Sequence, residues 1–338
     1  MKNKLLLTSA LAGVVALAGS AVAETKVSGN LEYVMNNTSG ATAATSSQGS
    51  GFEENIKITN SRDIALGAFS YGFNLENAAT EGAFMQLVNG ATTINLGADS
   101  FPSLSATVVP NTGESFQTVV AAIGTVAYET SFDLGTSDTA SGVARKNAIG
   151  LGISQKVGGG AVSVRFVPQT ASNNGSSAGA NVNTGTSTTE VMYNGDLGVK
   201  GLKVMLGWAE DKASQTKVQK GKASTYGAAY SVGKVTFGAQ RRNYEPTDTV
   251  AAQDKYNTNE YGIGFAINDN LSVALQHIVT DGDLNGTDFA SKEKINGLGI
   301  GYNLGGIAIE LSYAEVSNMN GVDGSDGEAL QLRTVQSF

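Results

Sequence analysis

The chain is 338 residues long, with 43 glycines, 4 prolines, one histidine, no cysteine, and 30 acidic against 22 basic residues, for a net charge of −8. Without cysteine no disulfide framework can hold the fold, and the acidic balance argues against nucleic acid as a partner. Abundant Gly, Thr, Ser and Asn favour strands and turns over long helices.

The first element reads as a processing signal. Lys2 and Lys4 precede an apolar run from Leu5 to Leu17, and Ala21-Val22-Ala23 supplies the small residues of a cleavage site. That run falls short of the roughly 20 apolar residues that a spanning helix needs. Residues 1–23 are therefore expected to be a cleaved signal peptide, leaving one domain, 24–338, that begins at Glu24. Loss of the two lysines takes the net charge from −8 to −10, a balance that attracts cations. The mean hydropathy of −0.07 fits either a soluble protein or a transmembrane barrel, whose strands alternate lipid-facing and water-facing residues.

From Lys26 to Met35 the chain alternates, with Val27, Leu31, Tyr33 and Met35 on one face and Ser28, Asn30 and Glu32 on the other. A polar loop over Asn36 to Gly51 follows, then strands at Glu54 to Asn60 and Ala65 to Leu75; the latter aligns Phe69, Tyr71, Phe73 and Leu75. Ala83 to Val88 and Ala91 to Ala98 meet at Asn89-Gly90, a strong hairpin signal.

The stretch from Asp99 to Ala144 breaks the pattern. It holds two of the four prolines and no sustained alternation, and a loop of this length in a compact domain usually carries function. Within it Val119 to Tyr128 is apolar enough for a short helix or a strand. As an inserted segment it packs Val119, Val120 and Ile123 against an inner wall; as a hairpin it adds two strands.

Beyond it the rhythm is regular. Strands are predicted at Lys146 to Val157, Ala161 to Val167, Glu190 to Val199, Leu202 to Ala209, Thr225 to Val232, Val235 to Arg242, Glu260 to Ile267, Leu271 to Val279, Lys294 to Tyr302, Ile307 to Val316 and Glu328 to Phe338. Five strands before the long stretch and eleven after it give 16, or 18 with the hairpin. Tight Gly/Asn/Asp turns alternate with long loops rich in Asp, Ser, Asn and Thr, the segregation of a membrane barrel. Tyr33, Tyr193, Trp208, Tyr230, Tyr302 and Tyr313 fall in phase with the apolar faces, as an aromatic girdle requires. Small residues at opposite parity (Gly262, Gly264, Gly297, Gly299, Gly301) are expected to leave an open bore.

On these features, and on the terminal Phe338, the chain resembles the general porins of Gram-negative outer membranes. The resemblance implies an all-β, 16-stranded antiparallel transmembrane β-barrel with a long third loop folded into the lumen. It also implies a homotrimer surrounded by outer-membrane lipid and lipopolysaccharide, and passive diffusion of small hydrophilic solutes. The chain lacks the Pro-Glu-Phe-Gly-Gly type of segment common in enterobacterial members, and Gln336 stands where an aromatic or apolar residue is frequent.

Catalysis finds little support. His277, the one histidine, shares a face with Leu271, Val273 and Leu275, and no cofactor motif survives inspection. Gly297-Leu298-Gly299-Ile300-Gly301 runs on as a strand and opens no helix, so it lacks the context of a nucleotide loop. Asp281, Asp283 and Asn285 copy the first half of a calcium loop, but Lys292 occupies the twelfth position; a surface-loop divalent cation such as calcium is the one cofactor carried forward. In a pore, selectivity comes from radius and from charges at the narrowest point. The acids of the long stretch are Asp99 and Glu114, with Glu129, Asp133 and Asp138 further on. The bases of inward parity are Lys57, Lys146, Arg165, Arg242 and Arg333. The resemblance implies that the loop acids face a basic wall, and the acidic loops are expected to give a mild preference for cations. The alternatives are a substrate-selective channel and a plugged barrel acting as an adhesin or envelope structural protein.

Overall fold

The computed structural model describes residues 24–40, 47–76, 79–97, 104, 106–113, 115–121, 150–167, 187–212, 221–246, 255–284 and 287–338. The expected signal peptide lies outside the described residues, as do Asp99, Glu114, Ile123, Glu129, Asp133, Asp138, Lys146 and Asn285.

The alternating segments form sixteen strands: β1 Glu24–Ser39, β2 Ser47–Ile64, β3 Gly67–Glu76, β4 Ala79–Asn89, β5 Thr92–Gly97, β6 Gly150–Val157, β7 Gly160–Val167 and β8 Ser187–Gly195 make the first half. The second half comprises β9 Leu202–Lys212, β10 Gly221–Val232, β11 Val235–Pro246, β12 Lys255–Ala266, β13 Leu271–Leu284, β14 Glu293–Asn303, β15 Ile307–Ser317 and β16 Gly327–Ser337. A two-residue rung, Thr287–Asp288, adds to the end of β13. Each strand pairs antiparallel with its neighbours in sequence, and β1 pairs with both β2 and β16, from Asn30 opposite Ser337 to Ser39 opposite Glu328. The barrel is closed and has no free edge, the condition a sheet must meet to cross a bilayer. Phe338 finishes the seam: its N–H donates to Gly29 O at 3.0 Å, and Gly29 N–H donates back to Phe338 O at 3.1 Å.

Strand β5 pairs directly with β6, from Thr92 opposite Gln155 to Gly97 opposite Gly150. No strand stands between them, so the count among the described residues is 16 rather than 18. The described apolar part of the long stretch is a short helix instead, α1, Phe116–Ala121.

Pleating sends alternate residues to opposite sides, and burial separates the sides. Leu151 and Ile153 are 50% and 48% exposed, whereas Gly150 and Gly152 between them are buried. The outward stripe is apolar, as a lipid-facing surface must be. Tyr193, Tyr230, Phe237, Phe265 and Tyr302 lie on it toward the tight turns; Tyr33, Phe52, Trp208, Tyr226, Tyr261 and Tyr313 lie on it toward the long loops. On β14 the stripe runs Tyr302, Ile300, Leu298 and then turns polar at Asn296 and Lys294, so the spanning part of that strand ends near Leu298. Glu293 stands beyond it on the loop side.

The turns are built locally. Gly90 and Gly233 take φ of 57° and 61°, a region that costs a residue with a Cβ and suits two-residue hairpins. Asn268 Oδ1 accepts from the N–H groups of Asn270 and Leu271, both at 2.9 Å, which fixes the β12–β13 turn.

Candidate pore lining

Residues 104, 106–113 and 115–121 lie on the face opposite the exposed apolar stripe, inside the barrel. The segment begins at Leu104, buried among Ala209, Ala223, Tyr244 and Tyr256. Val108 packs with Met192, Met205 and Ala229. At the far end Phe116, Val119 and Val120 of α1 are buried with Ile278, Ile295, Ala314, Val316 and Ala329 of the wall and Met319 of the last loop. Val119 and Val120 thus meet the inner wall.

The inward glycines are the seats for this segment, which corrects the expectation of an open bore. A Cβ on Gly262 would lie 2.5 Å from Val109 Cγ1, one on Gly264 would lie 2.8 Å from Pro110 Cβ, and one on Gly297 would enter the Phe116 ring. A Cβ on Gly299 would enter the Thr112 hydroxyl, whereas one on Gly301 would sit 3.2 Å from Ser272 Oγ and 3.3 Å from Thr112 O, a looser contact. Missing side chains let the segment approach the wall at backbone distance.

Polar wall residues then hold its main chain. Gln240 Oε1 accepts from Val108 N–H at 2.9 Å, while its Nε2 donates to Ala106 O at 2.9 Å. Arg242 donates to the same carbonyl at 3.0 Å, and Gln276 Nε2 donates to Pro110 O at 2.7 Å. Thr107 Oγ1 donates to Glu260 Oε2 at 3.2 Å. A turn follows at Asn111, whose Oδ1 accepts from Thr112 and Gly113 N–H at 2.6 and 3.1 Å. Helix α1 starts where Ser115 Oγ accepts from Gln117 N–H at 3.2 Å.

Of the five bases expected to line the pore, the four that are described, Lys57, Arg165, Arg242 and Arg333, all face inward, and each has a partner. Arg242 is 1% exposed and pairs with Glu260; it acts as a strut for Ala106, not as a charge in open water. Arg165 is 3% exposed and lies 3.6 Å from Glu190. Lys57 sits 4.9 Å above the Phe84 ring centroid, a cation–π arrangement. Arg333 stands between two carboxylates: Nη2 donates to Glu32 Oε2 at 2.6 Å and Nη1 donates to Glu310 Oε2 at 2.9 Å. Of the acids expected opposite these bases, Asp99 and Glu114 lie outside the described residues.

Sequence reasoning passed over Glu190, Glu260, Glu310, Gln240 and Gln276. Each has inward parity, which was the available signal. Which carboxylate meets which arginine depends on strand register, and parity alone does not fix register.

In the loops, Asp281 pairs with Lys292 at 3.0 Å. Asp283, at the loop end of β13 beyond the apolar stripe, is held above the usual carboxylate range by hydrogen bonding to Asp288 and then by burial. Among the described residues no group of three or more His, Cys, Asp or Glu is placed to hold a metal ion. Glu293 lies under the last loop and accepts from Asn320 N–H at 2.8 Å; burial pushes its carboxyl up to about 7 against that lowering contact. His277 is outward and exposed, 2.8 Å from Asn296 Oδ1.

A closed sixteen-stranded barrel, apolar outside and polar within, defines a transmembrane β-barrel of the outer-membrane channel class. The sequence model of the Gram-negative porins matches residues 8–321, and the chain belongs to that family, a β-barrel of the bacterial outer membrane. A search of curated proteins finds no match. Solved structures share the fold: an outer membrane protein of Vibrio cholerae, OmpT, at 9% identity over 95% of this chain and 99% of that one (TM-score 0.66). The trimer form of the same protein aligns at 9% identity over 94% and 100% (TM-score 0.63). A substituted variant of the Rh. blastica porin aligns at 14% identity over 93% and 100% (TM-score 0.58).

Proposed function

We propose that the protein is a passive diffusion channel for small hydrophilic solutes and ions, with a mild preference for cations. The observation that carries this reading is the lining: half-buried charges of Lys57, Glu310 and Arg333 lie on the inner face, and Glu310 stands against Gly113 of a wall-tethered segment that takes up part of the bore. On the turn side of that segment a cavity of 610 Å³ has a mixed lining, in which Thr107, Asn111, Lys203, Ser231, Lys234 and Thr236 supply polar groups suited to water and solutes beside Val108, Leu202 and Phe265. The −10 charge expected after signal cleavage supports the cation preference. Where Asp99 and Glu114 face the lumen, they add to it. The chain carries out no chemistry on its solutes in this reading, consistent with an outward His277.

Assembly as a homotrimer belongs to the same proposal and is supported by the trimer form of the Vibrio cholerae relative in fold; crosslinking in detergent tests it. Planar-bilayer recording tests the channel itself. Discrete ohmic steps are expected, and their absence overturns the reading. Saturating flux with one solute would favour the substrate-selective alternative.

A further inference from the structure

Resting on the channel reading, we infer that the cation preference is set by the wall, at Glu310, with Glu32 held beside it by Arg333. The local charge balance around Arg333 leads there; Lys57 sits elsewhere on the inner face, over Phe84, and Lys203 lines the larger turn-side cavity. Arg165 and Arg242 are each matched by one carboxylate and are almost wholly buried, so they leave little net field in the lumen. Arg333 is one guanidinium between two carboxylates, so the trio carries one surplus negative charge. The guanidinium meets Glu32 through both Nε and Nη2, so that pair is locked as a fork. Glu310 receives the single remaining contact from Nη1 and is the more accessible acid, its side chain 16% exposed against 7% for Glu32.

The position of Glu310 fits a cation on its way through. It lies against Gly113 of the inserted segment, where an added Cβ would come 2.6 Å from Glu310 Oε2. The carboxylate therefore stands beside the segment that narrows the bore. On its turn side lies a cavity of 290 Å³ lined by Glu310, Asp269, Asn268, Asn270, Asn303 and Thr112, with no basic residue in its lining. Asn268 and Asn303 use their amide oxygens to hold the turns, so the Thr112 and Ser272 hydroxyls beside the two carboxylates are the oxygens that can replace part of a cation's hydration shell, and they offer an anion no compensating charge. The ligand class is a small hydrated cation in transit, held weakly enough to leave. Arg333 is a positioning residue: it prevents the two acids from repelling one another and keeps Glu310 beside Gly113.

The test is the reversal potential of the intact channel in a potassium chloride gradient, with potassium and chloride as the probes. Glu310→Gln keeps an acceptor for Arg333 and removes the surplus charge. The potassium-to-chloride permeability ratio is expected to fall about threefold near 0.1 M salt, from a unit charge a few ångströms from the ion path, and the difference is expected to shrink toward 1 M as screening shortens. Asn303→Lys is the second arm, since Asn303 is an exposed turn residue lining the same cavity; it places an ammonium beside Glu310 and is expected to lower the ratio further. A channel that conducts while either variant keeps the wild-type ratio overturns the inference and leaves the channel reading intact. A wild-type protein that forms no channel overturns the channel reading instead.

Discussion

Replacing Phe116 by alanine tests whether the inserted segment is held by the wall. Phe116 is fully buried, and with Val119 and Val120 it supplies the apolar contact between α1 and the wall. At about 1.5–3 kcal/mol per buried side chain, the three together give docking of roughly 5–9 kcal/mol before entropy is subtracted. Truncation of a buried phenylalanine removes about 3–5 kcal/mol, about two to three and a half decades in the docked-to-undocked ratio. The barrel itself is closed by ladders that Phe116 does not join, so the heat-resistant folded band on a gel is expected to persist. Single-channel recordings are expected to show raised open-state noise and a larger mean conductance, as the helix end leaves the wall. Gly297→Ala attacks the same contact from the other side, because its Cβ would occupy the Phe116 ring, and the same phenotype is expected. Wild-type noise and conductance in both variants would refute the reasoning.

Arg242→Met removes the strut under Ala106 and leaves Glu260 buried without its guanidinium, a loss of about 3–5 kcal/mol; thermal melting of the folded band should shift down, and Arg242→Met with Glu260→Met should recover most of it. Ile153→Arg puts a charge on the lipid face and is expected to cost about 2–4 kcal/mol near the bilayer centre, read as a lower urea midpoint for folding into vesicles, while Ser154→Arg on the inward face should spare that midpoint. Glu293 predicts a pH response of the last loop. Its carboxyl rises from 4.5 to about 7 in the folded protein, so the closed loop favours the neutral acid; the stabilisation is complete below about 4.5 and is lost as pH rises through about 7. Hydrogen exchange at the Asn320 amide, corrected for intrinsic rate, should show more protection at pH 5 than at pH 8, and Glu293→Gln should abolish the difference.

The wall was legible because its signal is periodic. Two-residue alternation in Leu271 to Val279 or Ile307 to Val316 reports which side faces lipid without any knowledge of partners, and closure follows from an even count with segregated turns. Parity also placed Lys57, Arg165, Arg242 and Arg333 on the inner face. What parity could not give is neighbourhood. Arg333 meets Glu310 on the adjacent strand and Glu32 across the seam, 301 residues away in sequence, and only the register brings the three together. The inward glycines were read backwards for a related reason: a missing side chain signals space, and periodicity does not say whether water or another part of the chain takes it.

Closure of the ladder changes what the interior is for. In a soluble domain the side chains pointing inward supply most of the stability and must be apolar, whereas here the backbone hydrogen bonds and the lipid-facing stripe hold the fold. Inward positions are then free to carry Arg242, Glu260, Gln240 and Gln276, whose hydrogen bonds go to the inserted segment, to one another or, for Gln240, to Thr225 of the wall. Substitutions should therefore divide by parity: outward changes alter insertion and assembly, and inward changes alter conduction in a barrel that still closes. The Glu32–Arg333–Glu310 cluster is the exception that probes this rule. Its members sit on β1, β16 and β15, so the Glu32–Arg333 bond crosses the seam where the two ends of the sheet meet. A charge-neutral replacement at Arg333 should change ion preference and weaken the seam together, while Glu310→Gln, which leaves the Glu32 fork intact, should separate the two effects.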